Sequence, residues 1–161
     1  MEIVRYPSDI LRQKTVPVTE FDAALKQLAK DMITTMVDGH GIGLAGPQVG
    51  STLSLFVAQE AEGKHLVFIN PEIIGTSVET LPYEEGCLSI PGVYEEVVRP
   101  EAVLIQAYNE RGRPFKRECT GLLARIVQHE LDHLKGVLFI DYLTAMKRDR
   151  LLKQYEKNLK K

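Results

Sequence analysis

Two histidines and a glutamate fall within five residues, in the run His129-Glu130-Leu131-Asp132-His133. If this run is helical, residues 129 and 133 are four apart, so both imidazoles lie on one face and can share a metal ion. Glu130 follows the first histidine, where a carboxylate can take a proton from water bound to that ion. Two histidines leave a tetrahedral ion short of ligands. A third protein ligand and one open position would make the site catalytic rather than structural.

The flanking residues predict the helix that this pattern requires. Thr120 is suited to the N-cap of the helix and Gly136 to its C-terminal stop. Between them, apolar residues recur at helical spacing: Leu122, Leu123, Ile126, Val127, Leu131 and Leu134. Because short patterns also occur by chance on amphipathic helices, the motif alone leaves a metal site and a chance match both open.

A second motif, Glu85-Gly86-Cys87-Leu88-Ser89, contains one of the two cysteines of the chain. The thiolate of Cys87 can bind a metal ion, and the backbone N–H beside it can face a ligand. The alternative is a buried and unreactive thiol, which is the usual state of a lone cysteine.

A third stretch, residues 41–48, reads Gly-Ile-Gly-Leu-Ala-Gly-Pro-Gln and is rich in small residues. Small residues allow a bound peptide to approach the backbone and to pair with it as an added strand. The stretch lacks the Gly-Lys-Ser/Thr ending of a phosphate loop and the full spacing of a dinucleotide-binding loop. Taken alone, it is more simply explained as a flexible turn between a helix and a sheet.

The composition is typical of a globular protein with one core. The chain has 161 residues, of which 44% are hydrophobic and 26% charged, and we expect one catalytic domain over residues 1–161. We find no apolar run that could span a bilayer and no basic region followed by an apolar stretch at the N-terminus, so we expect neither membrane association nor export. Two cysteines are too few for a disulfide framework, which favours a cytoplasmic location.

The charge is unevenly distributed along the chain. Residues 147–161 contain seven basic and two acidic residues, so this segment carries +5 and residues 1–146 carry −7, within a total of −2. A solvated helix end is the favoured interpretation, because cations suit a helix C-terminus. A foothold for an anionic partner such as RNA is the alternative.

The remaining sequence predicts helices at both ends and strands between them. Apolar spacing predicts an N-terminal helix over 21–36 and a C-terminal amphipathic helix over 141–161. Strands are predicted at residues 53–58, 66–70, 73–78, 102–108 and 115–119. Because helices and strands are grouped rather than alternating, we expect an α+β fold, with antiparallel sheets packed around a central HExxH helix.

Together and in this order, the three motifs strongly resemble the signature motifs of the peptide deformylase family. They are Gly-Ile-Gly-Leu-Ala-x-x-Gln at 41–48, Glu-Gly-Cys-Leu-Ser at 85–89 and Gln-His-Glu-x-Asp-His at 128–133. Residues 6–18 are similar to the N-terminal segment of that family, so the resemblance spans essentially the whole chain. It implies a hydrolase of protein biosynthesis that removes the formyl group from the N-terminal formyl-methionine of nascent polypeptides and releases formate.

The resemblance also implies a metal site. By motif position, Cys87, His129 and His133 would bind one divalent ion, and Glu130 would act as general base and then general acid. Two histidines and a cysteine suit Fe(II), Zn(II), Ni(II) or Co(II), and the family resemblance favours Fe(II). A bound ion lowers the pKa of water from about 15.7 toward 7, and the glutamate can return the proton to the departing amine.

Further residues would hold the substrate. By the same motif positions, the side-chain amide of Gln48 and the backbone N–H of Leu88 would stabilise the negative oxygen that forms during hydrolysis. The backbone of Ile42 and Gly43, with the segment after Ser89, would bind the peptide as an added strand.

The methionine side chain of such a substrate needs an apolar pocket near the metal. Leu122 and Ile126 lie one to two turns before the histidines on the predicted helix and are candidates for its wall. Arg125 is four residues before His129 and leans the same way, with its stem in the pocket and its head in water. A plainly exposed arginine is the alternative.

Two competing functions differ in class. An HExxH metallopeptidase would ordinarily take its third ligand from a histidine or glutamate, so the Cys87 motif argues against it. A non-catalytic relative would bind nascent chains or the ribosome, but Glu130 and Gln48 are intact. We therefore expect a formylated nascent peptide as partner, with ribosome contact through the basic C-terminal helix as a further option. Asp132 either orients a neighbouring group or is a surface charge.

Overall fold

The computed structural model describes residues 1–160, and Lys161, the last residue of the predicted C-terminal helix, lies outside the described residues. Within that range the chain forms three α-helices: α1, Ala23–Asp38; α2, Gly121–Leu134; and α3, Ala145–Leu159. Between α1 and α2 the described chain forms seven strands: β1, Gly43–Ala45; β2, Leu55–Gln59; β3, His65–Thr76; β4, Thr80–Cys87; β5, Ile90–Pro100; β6, Ala102–Tyr108; and β7, Pro114–Thr120. Short 3₁₀ turns cover Asp9–Arg12, Gly46–Val49 and Phe139–Tyr142. None of the helices in residues 1–160 is both long and apolar enough to cross a membrane.

The strands form two separate antiparallel sheets. Five strands are hydrogen-bonded in the order β1-β2-β3-β6-β7, and β4 and β5 form a two-stranded ribbon. β1 is therefore an edge strand of the larger sheet, paired on one side with β2. The prediction of an α+β fold with antiparallel sheets, an N-terminal helix and a C-terminal helix is confirmed.

The structure departs from the predicted strands in two places. The sequence predicts no strand over residues 79–101, where β4 and β5 lie, because proline, glycine and glutamate make up nearly half of that segment and weaken the β pattern. The predicted strands 66–70 and 73–78 are one strand, β3, with a register shift between Ile69 and Glu72. Asn70 lies at this shift with a φ of 50°.

The C-terminal helix begins later than the predicted residue 141. A 3₁₀ turn covers Phe139–Tyr142, and α3 starts at Ala145. Thr144 is its N-cap, and the hydroxyl oxygen accepts a hydrogen bond from the backbone N–H of Lys147 at 3.2 Å. The cap supplies an acceptor for one of the free N–H groups that begin every helix, so the boundary is set there.

The helix α2 contributes side chains to one apolar core and lies beside a second. One core lies between α2 and the larger sheet, where the rings of Phe56 and Phe68 stack with their centroids 4.7 Å apart. The other includes Val97 of β5, Phe139 of the last 3₁₀ turn and Leu151 of α3. Within residues 1–160, no α2 side chain belongs to it, but the rings of His129 and Phe139 lie with their centroids 6.1 Å apart. Because α2 contacts strands of the larger sheet and β5 of the ribbon, side chains on its two faces can join both parts of the fold.

Both predicted ends of α2 are confirmed. Thr120 occupies the N-cap position in extended conformation, although its side chain makes no capping hydrogen bond to any described residue, and Lys135 is the C-cap, followed by Gly136 with a φ of 77°. A β-carbon at position 136 would collide with the backbone carbonyl of Arg12. The helix therefore stops at a position where both the backbone conformation and the neighbouring chain require glycine.

Candidate metal centre and peptide cleft

Three potential metal ligands converge from two elements. Cys87 is the last residue of β4, and His129 and His133 lie one turn apart on α2. One side-chain ligand atom from each residue lies within 4.8 Å of the other two. The Sγ atom of Cys87 is 3.4 Å from Nε2 of His133, and the two imidazole centroids are 5.1 Å apart. The predicted third ligand is thus brought to the histidines from 42 residues or more upstream.

This donor set fits a divalent metal ion. One sulfur and two imidazole nitrogens are borderline-soft ligands, and they leave a tetrahedral ion with one open position. Burial lowers the pKa of His133 well below its usual range. His133 is therefore neutral, which is the form of imidazole that binds metals.

The orientation of His129 is fixed by Glu85. Nδ1 of the imidazole lies 2.9 Å from Oε1 of the carboxylate, which leaves Nε2 free to face the ligand cluster. Although burial alone would raise the pKa of Glu85, hydrogen bonds from His129 and Arg99 lower it to about 2. The carboxylate is therefore charged, and it accepts a hydrogen bond from the Nδ1–H of His129.

Arg99 of β5 links Glu85 to Asp132. Its Nε and Nη2 donate to the two oxygens of Glu85 at 2.6 and 2.9 Å, and its Nη1 donates to Oδ2 of Asp132 at 2.8 Å. The same Asp132 oxygen accepts a hydrogen bond from the hydroxyl of Tyr142 at 2.7 Å. The guanidinium of Arg99 lies 4.7 Å from the centre of the Tyr142 ring. Asp132 thus orients a neighbouring arginine, the first of the two options that the sequence leaves open.

The guanidinium of Arg125 is buried, in contrast to the head in water that we expected. The residue is 7% exposed. Nη1 donates to Oε2 of Glu85 at 2.8 Å and to the carbonyl of Val97 at 2.7 Å, and Nη2 donates to the carbonyl of Leu81 at 2.5 Å. Three acceptors from the ribbon replace the water that would otherwise surround the charge, and their hydrogen bonds offset the cost of removing the guanidinium from water.

Glu130 lines the cleft and, within residues 1–160, has one carboxyl oxygen without a hydrogen-bond partner. It is 5% exposed, and its Oε1 is buried without a hydrogen-bond partner in the described chain. Burial raises the pKa of the Glu130 carboxyl to about 7. A carboxyl group with such a pKa can accept a proton and return it at neutral pH. A β-carbon at Gly43 would collide with its Oε2, so glycine is required there for the carboxyl to lie against β1.

Gln48 is held in one orientation inside the 3₁₀ turn that follows β1. It is 1% exposed, and its Oε1 accepts the backbone N–H of Ala45 at 2.9 Å. Its Nε2 donates to the hydroxyl of Ser89 at 3.1 Å and lies 3.4 Å from Sγ of Cys87. Because the carbonyl oxygen is fixed by Ala45, the amide NH₂ faces the ligand cluster.

Leu88 begins the turn that joins β4 to β5, directly after the Cys87 ligand. Its side chain packs over Gly41, where a β-carbon would lie 2.5 Å from the Leu88 Cδ1 atom. The first glycine of the 41–48 stretch therefore allows the two segments to approach each other.

β1 offers a free backbone edge to the cleft. Gly43 is opposite Ala58, and the N–H of Gln59 donates to the carbonyl of Ile42 at 2.9 Å. In an antiparallel pair, residues alternate between those that bond to the partner strand and those that point away from it. The N–H and C=O of Gly43 therefore point away from β2 and are available to an added strand.

A cleft of about 110 Å³ joins these groups. Nearly all of the sequence-predicted site residues line it: Ile42, Gly43, Gln48, Cys87, Leu88, Leu122, Arg125, Ile126, His129 and Glu130. His133 is fully buried behind them. The segment after Ser89, expected to bind peptide, does not line the cleft, because Ile90 turns into the second core. Residues 83–88 form that wall instead.

The residues that our sequence reasoning missed are those that hold the ligands. Glu85 stands in the second motif without a predicted role, and Arg99 lies outside all three motifs. The hydrogen-bond partners of Glu85 are distant along the chain: Arg99 is 14 residues away and His129 is 44 residues away. The signal available was a glutamate next to a candidate ligand loop, since a metal-binding histidine usually donates its second N–H to a carboxylate.

Comparison with known proteins identifies relatives over the whole chain. A family model described as polypeptide deformylase matches residues 1–149. The peptide deformylase of Borreliella burgdorferi is 52% identical over 163 aligned positions, which cover 99% of each chain. That of Rhizobium meliloti is 46% identical, covering 98% of this chain and 93% of the relative.

Solved structures agree with these sequence matches. A crystal structure of a peptide deformylase from Legionella pneumophila superposes with a TM-score of 0.95 at 41% identity, covering 99% of this chain and 95% of the other. Peptide deformylase 1B of Arabidopsis thaliana, in complex with an inhibitor, gives a TM-score of 0.91 at 45% identity, covering 98% and 89%.

Proposed function

Because this chain belongs to the peptide deformylase family, we propose that the cleft between β1, residues 83–88 and α2 is its active site. The chain is a hydrolase that removes the N-terminal formyl group from nascent polypeptides. The observation that carries the assignment of the site is Glu130, a buried carboxyl group with an unpartnered oxygen beside a Cys-His-His ligand set.

Cys87, His129 and His133 hold the metal ion in this proposal. Their geometry supports it, because three borderline-soft donor atoms converge within 4.8 Å. When bound, the ion supplies the acidity that makes water a nucleophile at neutral pH. We propose Fe(II) as the ion, on the family resemblance, whereas the donor set also suits Zn(II), Ni(II) and Co(II).

Glu130 moves the proton. Its Oε1 accepts a proton from the attacking water and then delivers it to the nitrogen of the departing amine. Without this transfer the amine would leave as a strongly basic anion. The burial that raises the pKa of Glu130 to about 7 suits both halves of this task.

Gln48 and Leu88 stabilise the developing negative charge on the formyl oxygen. The amide NH₂ of Gln48 faces the ligands because Ala45 fixes its carbonyl oxygen, and the Leu88 N–H follows Cys87 in the chain. In other enzymes the loss of one such donor costs about 10²–10³ in turnover.

The peptide binds along β1. The outward N–H and C=O of Gly43, next to Ile42, pair with the backbone of the substrate as an added strand. Leu122, Ile126 and the stem of Arg125 line the pocket for the methionine side chain. A formyl carbon carries no side chain, so a tight site can exclude internal peptide bonds.

The wider setting completes the proposal. We propose one domain over residues 1–161 with α2 at its centre, because α2 contacts both sheets. We propose a cytoplasmic location, where nascent chains are made. The exposed basic residues of α3 are proposed to contact ribosomal RNA, since Leu151 and Tyr155 occupy the buried side of that helix. They are Lys147, Arg150, Lys153 and Lys157.

Formate release tests the assignment of the base. Wild type, Glu130→Gln and the exposed control Glu118→Gln are purified anaerobically with Fe(II) and given a formyl-Met peptide. We expect rapid release by the wild type and the control. Glu130→Gln should keep its metal but lose turnover by at least about 10², the usual contribution of a general base.

Three outcomes would contradict the proposal. Full turnover in Glu130→Gln would remove Glu130 from the reaction, and loss of metal from that variant would make it a ligand. Cleavage of unformylated peptides in preference to formylated ones would favour the metallopeptidase alternative.

A further inference from the structure

Arg125 makes more contacts than a pocket wall requires. Its guanidinium donates to the carbonyls of Leu81 in β4 and Val97 in β5, and to the carboxylate of Glu85. It also lies 5.7 Å from the centre of the Tyr83 ring, within the range of a cation–π contact. One side chain of α2 thus holds both strands of the ribbon.

The ribbon depends on such side-chain ties. β4 and β5 share no strand pairing with the larger sheet. Backbone hydrogen bonds hold the ribbon at its end beside that sheet, where the N–H of Glu101 donates to the carbonyl of Glu79, and they do not fix the distance of its other end from α2. Gln128 donates to the carbonyl of Pro100 at 2.9 Å, at the far end of β5, and Arg99 joins Asp132. Of the side chains that tie the ribbon to α2, Arg125 lines the cleft, whereas Gln128, Arg99 and Asp132 do not.

Charge balance supports the same role. Two cations, Arg99 and Arg125, face two anions, Glu85 and Asp132, in a cluster that is largely buried. Loss of the Arg125 charge would leave this cluster with two anions and one cation. It would also leave two ribbon carbonyls without their donor, which is costly in a buried site.

We propose that Arg125 is a positioning residue that holds the wall formed by residues 83–88 at a set distance from α2 and thereby selects the first side chain of the peptide. The inference rests on the proposed function of the cleft. The stem of Arg125 lines the pocket, while its head fixes the opposite wall through Leu81 and Glu85. Pocket width therefore depends on the guanidinium even though the guanidinium faces away from the peptide.

Two variants of Arg125 test this role against a matched control. Arg125→Met keeps an apolar stem of similar length and removes every donor, whereas Arg125→Lys restores the charge with a different geometry. Arg113→Met removes an exposed arginine before β7, away from the cleft. Each Fe(II)-loaded protein is assayed with formyl-Met and formyl-Phe peptides, and bound metal is measured separately.

For Arg125→Met we expect KM for the formyl-Met peptide to rise about tenfold with kcat within about twofold, because ground-state and transition-state binding are lost together. The preference for formyl-Met over formyl-Phe should fall by about tenfold, since a looser wall admits the larger side chain. Arg125→Lys should recover part of both losses, and Arg113→Met and the metal content of every variant should match the wild type.

Several results would overturn the proposal. Unchanged KM and preference in folded Arg125→Met would do so, and so would a fall in kcat alone, which would place Arg125 in support of His129 instead. If Arg125→Met fails to fold, wild-type KM and preference in Arg125→Lys overturn it. Failure of both to fold would show a general folding role. A wild type that releases no formate contradicts the proposed function itself, whereas an active wild type beside an unaltered Arg125→Met contradicts only this inference.

Discussion

A single methyl group at Gly43 should disable the site without touching a metal ligand. A β-carbon there collides with Oε2 of Glu130 and lies 2.9 Å from Cγ2 of Ile126, closer than such contacts normally come. Ile126 is buried in the core between α2 and the larger sheet, so the Glu130 carboxyl must give way. Restoring ordinary contact requires a shift of about 1 Å, and a misplacement of that size commonly costs about 10²-fold in rate.

The assay is formate release by Gly43→Ala, with metal content and thermal unfolding measured on the same sample. We expect kcat to fall by about 10², because the displaced group acts in the chemical step, while one metal ion per chain remains bound. Gly75→Ala is the matched control, since its β-carbon would meet only Cβ of Leu104 at 3.7 Å. It should retain wild-type turnover.

An active Gly43→Ala would refute the reasoning. Wild-type kcat in that variant would show either that Glu130 is not the proton-transfer group or that its carboxyl tolerates displacement. Loss of bound metal would show that the strain reaches the histidines. A change confined to KM would assign Gly43 to peptide pairing alone.

Three further predictions concern the ligands and the helix end. Cys87→Ala should bind metal more than about a hundredfold less tightly, since even the loss of a ligand's hydrogen-bond partner costs 10–100-fold; unchanged metal content by elemental analysis would exclude Cys87. Cys119→Ser should stay active and lose about 1 kcal/mol of unfolding free energy, because it buries a hydroxyl in the core; a folded but inactive variant would contradict this. Gly136→Ala should lower Tm by roughly 4–8 °C, because its φ of 77° and the Arg12 carbonyl both oppose a β-carbon; an unchanged Tm in a thermal scan would count against the clash.

The ligand-bearing helix could be predicted because its signals are local. The spacing of His129 and His133, the apolar positions between Thr120 and Gly136 and the two end residues all act within one or two turns. Those local preferences agree with the packing of α2, so the predicted boundaries match the observed ones. The convergence of Cys87 on the same point was carried by the family resemblance, because nothing local to residue 87 specifies its distance from α2.

The misjudged strands reveal where local signals are overruled. A proline after Asn70 suggests a break, but the side chain of Asn70 accepts the N–H of Val18 at 2.8 Å and donates to the carbonyl of Val18 at 2.9 Å. These bonds hold an irregular backbone within the continuous strand β3. The ribbon likewise forms from a sequence with weak β pattern, since its strands pair with each other and pack on the second core.

Arg125 presents the same conflict at the level of a side chain. Its place four residues before His129 correctly predicts that the side chain points toward the cleft. It does not predict that the guanidinium is buried, because that depends on the carbonyls of Val97 and Leu81, which are 28 and 44 residues away along the chain. Removing Arg99, Glu85 and Arg125 from water costs free energy that offsets much of the attraction between their charges. Such a buried cluster is therefore weak evidence for stability. Two sheets that share no strand pairing nevertheless need fixed spacing where Cys87 meets the histidines. The buried charges supply that spacing, which explains why the least predictable residues of this chain lie directly behind its most predictable ones.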